Sequence, residues 1–403
     1  MIVLVLNSGS SSIKYQLLDM SDNNHTVLAI GAVERIGLDD GILIHKPKES
    51  GKFKFSEKIE NHEKGITLIL DALISRAHGV IEDINDINAI GHRVVHGGEY
   101  FTKSVIIDKQ VKDRIKELSD LAPLHNPAHL AGIESMEKIL PNIPQVAVFD
   151  TSFHQTMPPE SFLYAIPYEY YLKHKVRRYG FHGTSHKYIA EKACKFLGLD
   201  FHNSKLITCH LGNGASIAAI KNGESKDTSM GFTPVEGLIM GTRVGNLDAG
   251  ALLYLMGKEN LDLDGINDLI NKRSGMLGIS GISSDMRDIE NASWNKKDER
   301  ATLALLMYHQ RVKRYIGAFA AEIDGCDAII FTGGVGENGP ETREEICKGL
   351  GFMGVEFNSK ANKGVRSKEA LLSTENSRVK VAVIPTNEEL VIATDTVKVI
   401  KQN

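Results

Sequence analysis

The sequence predicts an α/β protein with two domains, each built on a mixed β-sheet. Three observations support this fold class: the chain has 403 residues, short apolar runs alternate with helical patterns, and one strand–turn–strand pattern occurs twice. A chain of this length exceeds the size at which one hydrophobic core usually stops growing. We therefore predict a first domain over residues 1–150 and a second over residues 151–386, with the C-terminal segment 387–403 returning to the first domain.

The repeated pattern indicates that the two domains are related. Near the N-terminus, apolar Val3–Leu6 is followed by the polar turn Asn7–Ser12 and then by Ile13–Leu18. The same order returns in the second half, where a glycine-rich turn joins Leu206–Leu211 to Ile217–Ile220. Two apolar runs around a short polar turn are typical of a β-hairpin. The sequence therefore predicts one hairpin at the start of each repeated core.

Further apolar runs follow each hairpin and end in Gly, Asp or Pro, as buried strands do when their ends face a site. They are Ala89–Gly91, Val146–Asp150, Ala328–Gly334 and Val381–Pro385. Helical patterns lie between them. One begins at Asn126, which we predict to be the cap, with Pro127 in the first turn. Another covers residues 184–197 and stops at Gly198. Alternating strands and helices indicate an α/β fold.

Composition and charge exclude several classes of function. The formal net charge is −4, from 47 basic and 51 acidic residues, so we expect no nucleic-acid partner and no anionic membrane partner. The four cysteines, Cys194, Cys209, Cys326 and Cys347, form no CxxC pair, which argues against a disulfide framework and a zinc site and favours the cytoplasm. No run approaches the roughly 20 apolar residues of a membrane helix. Small molecules are the expected partners.

Three loops have the composition of phosphate-binding sites. Asn7–Ser12, with Lys14 after it, brings together hydroxyls, backbone amides and a cation, and His210–Gly214 has two glycines that let backbone approach a ligand. Gly333–Asn338 follows a predicted strand and precedes a helix start at Pro340, the arrangement of an anion site at a helix N-terminus. Either of the first two loops alone is equally explained as a hairpin turn. Three such loops in two repeated halves predict a nucleotide site.

With these loops, the chain resembles the acetate kinase family along residues 1 to about 390. The two signatures of that family match VLNSGSSSIK at Val5–Lys14 and HLGNGAS at His210–Ser216. Four further motifs match in order: GHRVVHGG at Gly91–Gly98, FDT at Phe149–Thr151, YGFHGTSH at Tyr179–His186 and PTNEE at Pro385–Glu389.

The resemblance implies a fold, a reaction and partners. The fold is that of the acetate and sugar kinase, heat-shock chaperone and actin superfamily, which is ribonuclease H-like, with duplicated domains and a homodimer. The reaction is reversible, direct in-line transfer of the γ-phosphoryl group of ATP to the carboxylate of acetate, giving acetyl phosphate and ADP. Its cofactor is Mg²⁺ or Mn²⁺, and its substrates are acetate and ATP or ADP.

Phosphorylating a carboxylate brings two anions together, so fixed cations are needed. Arg93 and Arg243 lie in loops bracketed by glycines, which let a guanidinium reach substrate oxygens. An arbitrary arginine is more often on the surface, but the family match favours the catalytic interpretation. His182 is our candidate for a hydrogen bond to the transferring phosphoryl group. His125 is a weaker candidate because it precedes a helix cap, and His210 matches the nucleotide-binding segment.

Carboxylates near the phosphates are expected to serve Mg²⁺, which prefers oxygen ligands. Thr386 and Glu389 have the spacing of a capping box, which gives Glu389 a structural role. Glu388 has no such explanation, so we predict Glu388 and Asn7 at the metal. The resemblance gives Asp150 a catalytic label; it either organises Mg²⁺, water or an arginine, or transfers a proton. General-base work is not required, because a free acid with a pKa near the roughly 4.3 of Glu is ionised at pH 7.

The remaining site residues follow from the resemblance. At the nucleotide it implies Lys14, Ser10, Ser12, His210, Leu211, Gly212, Asn213, Gly214, Asp285, Met286, Arg287, Gly333, Gly334, Val335, Gly336 and Glu337. At the acid it implies Arg93, with Val95, Leu124 and Pro234 around the carbon tail. From the residues alone, 281–288 is a loop entering a charged helix, and the three apolar residues are ordinary core or turn residues.

Two other interpretations stay open at this level. Propionate or butyrate kinase would share the fold and the chemistry and differ in pocket volume. An ATP-switched interaction protein, like a chaperone or actin, would share the nucleotide site. The two glycine-flanked arginines favour an enzyme, and acid-dependent release of ADP distinguishes the two classes.

Overall fold

A computed structural model describes residues 1–21, 25–123 and 125–402 of the protein. The chain forms two compact units. Unit 1 comprises Met1–Ser152 and Asn387–Asn403, and unit 2 comprises Phe153–Thr386. The boundary after Ser152 lies close to the predicted domain boundary at residue 150. Both units combine helices with a mixed sheet, which confirms the predicted α/β class.

The described residues of the two units include 14 β-strands. In chain order they are β1 (Ile2–Ser8), β2 (Ser12–Asp19), β3 (Thr26–Glu34), β4 (Gly41–Pro47), β5 (Phe53–Glu57), β6 (Ile87–Val94), β7 (Val105–Ile106), β8 (Gln145–Phe149), β9 (Lys205–Leu211), β10 (Ala215–Lys221), β11 (Glu224–Thr228), β12 (Ala328–Thr332), β13 (Ala370–Leu371) and β14 (Lys380–Val383).

The described α-helices range from single turns to one long helix near the end of unit 2. They are α1 (His62–Leu73), α2 (Lys109–Glu117), α3 (Asn126–Ile139), α4 (Pro159–Phe162), α5 (Tyr168–His174), α6 (Gly183–Leu197), α7 (Ala249–Glu259), α8 (Leu263–Lys272), α9 (Gly275–Ser280), α10 (Met286–Trp294), α11 (Glu299–Glu322), α12 (Gly333–Asn338), α13 (Pro340–Cys347), α14 (Ser359–Asn362) and α15 (Glu388–Lys401). Short 3₁₀ turns cover Ile84–Asp86, Leu118–Asp120, Ser152–Thr156, Phe201–Asn203 and Gly351–Met353.

Unit 1 is an eight-stranded sheet with helices on both faces. Its strand order is β5-β4-β3-β2-β1-β6-β8-β7, with β1 antiparallel to β2 and parallel to β6. Side chains alternate across β1: Leu4 and Leu6 pack with Met136 of α3, whereas Val3 and Val5 pack with Ile392 of α15. This alternation buries both faces of the strand. The C-terminal helix α15 is therefore part of the unit 1 core, as predicted for the returning segment.

Unit 2 repeats the strand order of unit 1 without its two outermost strands. The order is β11-β10-β9-β12-β14-β13, which corresponds to β3-β2-β1-β6-β8-β7 and lacks counterparts of β5 and β4. Strands β11, β10 and β9 pair antiparallel, and β9, β12 and β14 are parallel. In each unit a short antiparallel strand, β7 or β13, closes the edge. The predicted hairpins are β1–β2 and β9–β10, so the predicted duplication of the core is confirmed.

Local signals placed some helix ends correctly and others wrongly. Helix α6 ends where predicted, and Gly198 follows it with φ of +69°, a conformation that glycine adopts without steric cost. The apolar positions Leu130, Ile133 and Met136 of α3 are buried. The predicted cap Asn126 is wrong, however, because the helix already includes this residue. The amide of Asn126 instead accepts from the backbone N–H of His96 and donates to its carbonyl.

The predicted capping box Thr386–Glu389 is also wrong. Asn387 caps α15, its side chain accepting from the N–H of Leu390. Asparagine caps a helix as well as threonine does, and Thr386 has other partners, the hydroxyl of Ser185 and the carboxylate of Glu337. Glu388 and Glu389 are therefore both in the first turn, and the reason for separating their roles disappears.

Candidate active site

In unit 1, the candidate residues lie where three parallel strands end. Strands β1, β6 and β8 are parallel neighbours, so their carboxyl ends meet at one edge of the sheet, the usual position of a ligand site in an α/β fold. Asn7 is the penultimate residue of β1 and faces Lys14 across the β1–β2 pair. Gly9 N–H donates to the carbonyl of Ser12 (2.7 Å) and closes the turn that carries Ser10. Of these polar side chains, Ser10 and Lys14 are exposed.

Arg93 and Asp150 form a bidentate ion pair at this edge. Arg93 Nη2 donates to Asp150 Oδ2 at 2.6 Å, and Nε lies 3.2 and 3.1 Å from the two carboxylate oxygens. Asp150 is 1% exposed. Arg93 is thus one partner of Asp150, and the roles of Asp150 toward Mg²⁺, water or a proton stay predictions. Parallel fork-to-carboxylate bonds fix both orientation and charge, so Asp150 holds the Arg93 guanidinium in one position.

Two more carboxylates surround the same guanidinium. Glu388 Oε2 lies 4.0 Å from Arg93 Nε. The charge of Glu389 also acts on the Arg93 guanidinium, from a longer distance. Burial disfavours the charged form of Arg93, but the charges of Asp150 and Glu388 outweigh burial and raise its pKa. Three carboxylates against one cation leave this edge with an excess of negative charge.

The loop after β6 carries Val95, the predicted wall of the acid pocket. Val95 is 7% exposed. His125 occupies the N-cap position of α3, where its side chain makes no capping hydrogen bond, and its role at the site stays a prediction. The other apolar residue predicted for the acid pocket in unit 1, Leu124, lies outside the described residues.

In unit 2, two histidines stack beside the glycine turn between β9 and β10. The ring centroids of His182 and His210 are 4.4 Å apart. Nδ1 of His210 forms a hydrogen bond with the hydroxyl of Ser185 at 2.8 Å. His182 has φ of +57° and immediately precedes α6. A non-glycine residue held in this left-handed conformation is uncommon and is often found at functional sites.

The glycine turn, His182 and Arg243 converge. A Cβ atom placed at Gly214 would lie 3.5 Å from His182 Nε2 and 3.7 Å from Arg243 Nη1. Asn213 is held against the Arg243 loop, because its carbonyl accepts from Gly241 N–H at 2.9 Å. Backbone without a side chain, an imidazole and a guanidinium together suit the oxygens of a phosphate group.

Arg243 has no carboxylate partner among the described residues. Its Nη1 donates to the carbonyl of Pro234 at 3.1 Å and contacts Met240 Sδ at 3.5 Å. Burial lowers the pKa of Arg243, which remains far above neutral pH for an arginine. A partly buried cation that lacks a counter-charge is well suited to bind an anion. Pro234, the predicted pocket residue, thus lies directly on this guanidinium.

A cavity of about 570 Å³ in unit 2 collects many of the predicted nucleotide residues. Those that line it are Gly212, Asn213, Asp285, Met286, Arg287, Gly334 and Val335. Residues 281–288 were predicted as a loop entering a charged helix; that helix, α10, begins at Met286, and Asp285 caps it by accepting from Arg287 N–H. Lining residues that sequence reasoning missed include Glu290 and Tyr308, which have no motif around them.

The predicted glycine loop 333–338 is wrong in detail. Residues Gly333–Asn338 form the short helix α12 directly after β12. Glu337 Oε1 accepts from Gly333 N–H and from Thr386 N–H, both at 3.0 Å. The carboxylate of Glu337 therefore accepts hydrogen bonds from backbone amides at the strand-to-helix junction, which would otherwise lack acceptors. The predicted helix start at Pro340 is confirmed.

Comparison with known proteins gives one family. The model of the Acetokinase family matches residues 2–394. The acetate kinase of Caldanaerobacter subterraneus subsp. tengcongensis is 56% identical over 99% of both chains. The crystal structure of Porphyromonas gingivalis acetate kinase is 51% identical with a TM-score of 0.96, covering 99% of each chain. A propionate kinase structure from Francisella tularensis is 40% identical with a TM-score of 0.91, covering 98% of this chain and 99% of that one.

The structure also bears on membrane association. None of the described helices combines the length and the apolar composition needed to cross a bilayer.

The match of the family model covers both structural units, including the two signature turns and the loops of Arg93 and Arg243. The chain therefore belongs to the acetokinase family.

Proposed function

We propose that the protein transfers the γ-phosphoryl group of ATP to the carboxylate of acetate, reversibly and in line, forming acetyl phosphate and ADP. The observation that carries this proposal is Arg243, a partly buried cation without a carboxylate partner among the described residues, beside His182 and the turn at Gly214. Relatives named acetate kinase, matched over nearly the whole chain, support the choice of acid.

In this proposal the Arg243 guanidinium and the imidazole of His182 bind the oxygens of the transferring phosphoryl group. Charge spreads over three equatorial oxygens in such a transition state, and positioned cations stabilise it. Backbone N–H groups of the turn Gly212–Gly214 hold the neighbouring phosphates. The cavity around Asp285 and Val335 takes the nucleoside.

Arg93 is proposed to bind the carboxylate of the acid. Its fork is held by Asp150, so the acid meets a cation that is already oriented. Val95, directly after β6 in the same unit, would contact the methyl group. No general base is needed, since the acid is ionised at neutral pH; Asp150 therefore serves as a positioning residue for Arg93.

The carboxylates around Arg93 fit a divalent cation. Asp150, Glu388 and Glu389 outnumber the one guanidinium, and carboxylate and amide oxygens are the ligands that Mg²⁺ prefers. We propose that Glu388 and Asn7 hold Mg²⁺ or Mn²⁺ directly or through water. When bound, the ion neutralises charge on the phosphates of ATP.

Trapping the product tests the proposed reaction. The protein is incubated with MgATP, hydroxylamine and acetate, propionate or butyrate, because hydroxylamine converts an acyl phosphate into a hydroxamate. We expect acid-dependent hydroxamate and equal amounts of ADP, with acetate giving the highest kcat/KM. Release of ADP that does not depend on any acid would contradict the kinase proposal and favour an ATP-switched interaction protein.

Propionate is the second candidate acid. The Francisella tularensis structure, a propionate kinase, has nearly the same fold and covers almost the whole chain. A kcat/KM for propionate above that for acetate in the same assay would select this alternative.

We also propose a homodimer, with α7 in the interface. This helix contains Leu252, Leu253, Tyr254, Leu255 and Met256, yet none of its residues is buried. Leu253 and Tyr254 are 67% and 63% exposed, and clustered exposed apolar side chains mark interaction surfaces. Light scattering after gel filtration should give twice the chain mass, and Leu253→Asp should give the single mass. A monomeric wild type would overturn the proposal.

A further inference from the structure

The backbone at His182 is held in an uncommon conformation by contacts within unit 2. His182 has φ of +57°, a value that residues other than glycine adopt only at a cost in conformational energy. On its C-terminal side, the carbonyl of His182 accepts from the backbone N–H of His186 at 2.9 Å, in the first turn of α6. The angle φ relates the two peptide planes that flank a residue. The conformation is therefore fixed only if the peptide between Phe181 and His182 is held as well.

His154 makes this second contact. It lies in the 3₁₀ turn Ser152–Thr156, and its side chain is fully buried. Its Nε2 lies 3.1 Å from the carbonyl oxygen of Phe181, and its Nδ1 lies 2.8 Å from the hydroxyl oxygen of Ser225 in β11. A Cβ atom at Gly180 would lie only 2.8 Å from Cδ2 of the His154 ring. The glycine thus lets the loop lie directly against the imidazole.

The two partners of His154 determine which ring nitrogen carries the proton. A backbone carbonyl can only accept, so Nε2 of His154 donates to Phe181, and Nδ1 accepts from the Ser225 hydroxyl. Burial lowers the pKa of His154 to about 4, so the imidazole is neutral at pH 7 and has one donor and one acceptor. Both are used within the protein. The ring is therefore suited to orient its neighbours and not to transfer a proton to a substrate.

We propose that His154 is a positioning residue for His182: by donating to the Phe181 carbonyl, it fixes the peptide plane from which the His182 side chain departs. That plane sets the direction of the imidazole, which stacks on the ring of His210 and whose Nε2 would lie 3.5 Å from a Cβ atom at Gly214. This inference rests on the proposed function, in which His182 binds the transferring phosphoryl group. Loss of the hydrogen bond should lower kcat more than it changes KM, because orientation counts most in the transition state.

Two amides of different length separate the two hydrogen bonds of His154. The amide of glutamine reaches the position of Nε2, so His154→Gln can still donate to Phe181 but loses Ser225. The shorter amide of asparagine reaches the position of Nδ1, so His154→Asn keeps Ser225 and loses Phe181. Steady-state kinetics should give His154→Gln a kcat within about threefold of wild type and His154→Asn a kcat about 30-fold lower, within the roughly 100-fold that misplacing a catalytic group can cost. KM for MgATP and for acetate should change far less in both variants.

A double-mutant cycle tests whether the effect passes through His182. His182→Ala alone should lower kcat about 100-fold, the scale for one group that stabilises the transition state. Adding His154→Asn should lower kcat no further, because no imidazole remains to be positioned. A general structural effect of His154→Asn would instead multiply the loss caused by His182→Ala.

NMR of protein labelled with ¹³C at histidine Cε1 gives a readout that does not depend on the reaction. The His182 resonance is identified by its absence in His182→Ala, and the neighbouring ring of His210, whose centroid is 4.4 Å away, shifts it. This resonance should stay in place in His154→Gln and move in His154→Asn. Circular dichroism checks folding. If His154→Asn does not fold, His154→Leu takes its place, because leucine fills the site without either hydrogen bond.

Three results would overturn the inference: equal kcat in folded His154→Gln and His154→Asn, a further loss of kcat in the double mutant, or an unmoved His182 resonance in His154→Asn. Failure of the proposed function gives a different result. If His182→Ala kept wild-type turnover, the proposed role of His182 at the phosphoryl group would be wrong, whereas a moved resonance in His154→Asn would still support the positioning of His182 by His154.

Discussion

The two arginines proposed for the active site have opposite electrostatic surroundings. In unit 1, Arg93 is fixed by a bidentate bond to buried Asp150 and has Glu388 nearby. In unit 2, the hydrogen-bond partners of Arg243 among the described residues are the Pro234 carbonyl and the Met240 sulfur. The first guanidinium is already neutralised and oriented. The second retains an uncompensated charge for an incoming anion.

This difference suits two different tasks in phosphoryl transfer to a carboxylate. The acid is already an anion, so it needs a cation in a defined position. The carboxylates around Arg93 hold the guanidinium in that position, although they also weaken its attraction for the acid. Charge that develops in the transition state is stabilised most by a cation that has no competing partner, in surroundings poor in water. We therefore expect Arg93 to act mainly through geometry and Arg243 mainly through charge.

The largest effect is expected from removing the uncompensated charge. Arg243→Ala should lower kcat about 10³-fold, the upper range for loss of one group that stabilises the transition state, with the fold intact by circular dichroism. Arg314→Ala, an exposed arginine of the same unit, is the matched control and should keep full turnover. Turnover within tenfold of wild type in folded Arg243→Ala would remove this arginine from the mechanism.

Lysine substitutions separate geometry from charge. Lysine keeps the charge but cannot form the bidentate fork, so Arg93→Lys should lower kcat/KM for the acid about 100-fold. Arg243→Lys should lose only about tenfold. The two variants are compared by steady-state kinetics at fixed MgATP. If Arg243→Lys proved the more damaging, the assignment of geometry to Arg93 and charge to Arg243 would be reversed.

A smaller effect is expected at the wall of the acid pocket. Forcing a methylene into a filled pocket costs about 1–3 kcal/mol, whereas a fitting methylene gains about 0.8 kcal/mol. Val95→Ala should therefore raise the ratio of kcat/KM for propionate over acetate about tenfold. An equal change in kcat/KM for both acids would show that Val95 of unit 1 does not form this wall.

The smallest expected effect is on stability rather than on turnover. Burial lowers the pKa of His129 to about 3 and that of His92 to about 4 in unit 1, and lowers those of His154 and His309 to about 4 in unit 2. These imidazoles stay neutral in the folded chain. Below about pH 6.5 the unfolded chain binds protons that the folded chain does not, so stability that is complete above this pH is lost as pH falls.

Each such histidine contributes a slope of about 1.4 kcal/mol per pH unit between its unfolded and folded pKa values. His129→Leu removes one of them. The guanidinium chloride midpoint should fall less between pH 7.5 and pH 5.5 in this variant than in the wild type. An identical drop in both proteins would show that His129 does not couple folding to pH.

Features set by nearby residues could be predicted from the sequence, and features set by strand register could not. The hairpins at Asn7 and Gly212 and the glycine that ends α6 depend on local turn chemistry. The Arg93–Asp150 pair depends on the parallel register that places β6 beside β8. The cap of α15 was mispredicted because Thr386 and Asn387 are both good caps. Thr386 is instead bonded to tertiary partners, so Asn387 caps the helix.

Glu290 and Tyr308 mark the limit of prediction from a pattern. Each lies in an ordinary helix, and their proximity depends on how α10 and α11 pack in unit 2. The glycine turn at Gly212, by contrast, is short and contiguous, so it was found from its own residues, whereas Asp285 followed only from the family resemblance.

The most direct test of phosphoryl transfer to the carboxylate follows the oxygen atoms. Acetate labelled with ¹⁸O in both carboxylate positions is incubated with unlabelled MgATP and the wild-type protein, and acetyl phosphate is examined by ³¹P NMR. If the carboxylate attacks the γ-phosphorus, each product molecule carries one ¹⁸O bonded to phosphorus and shows the corresponding isotope shift. Acetyl phosphate without ¹⁸O on phosphorus, or no acetyl phosphate from folded wild type, would contradict the account.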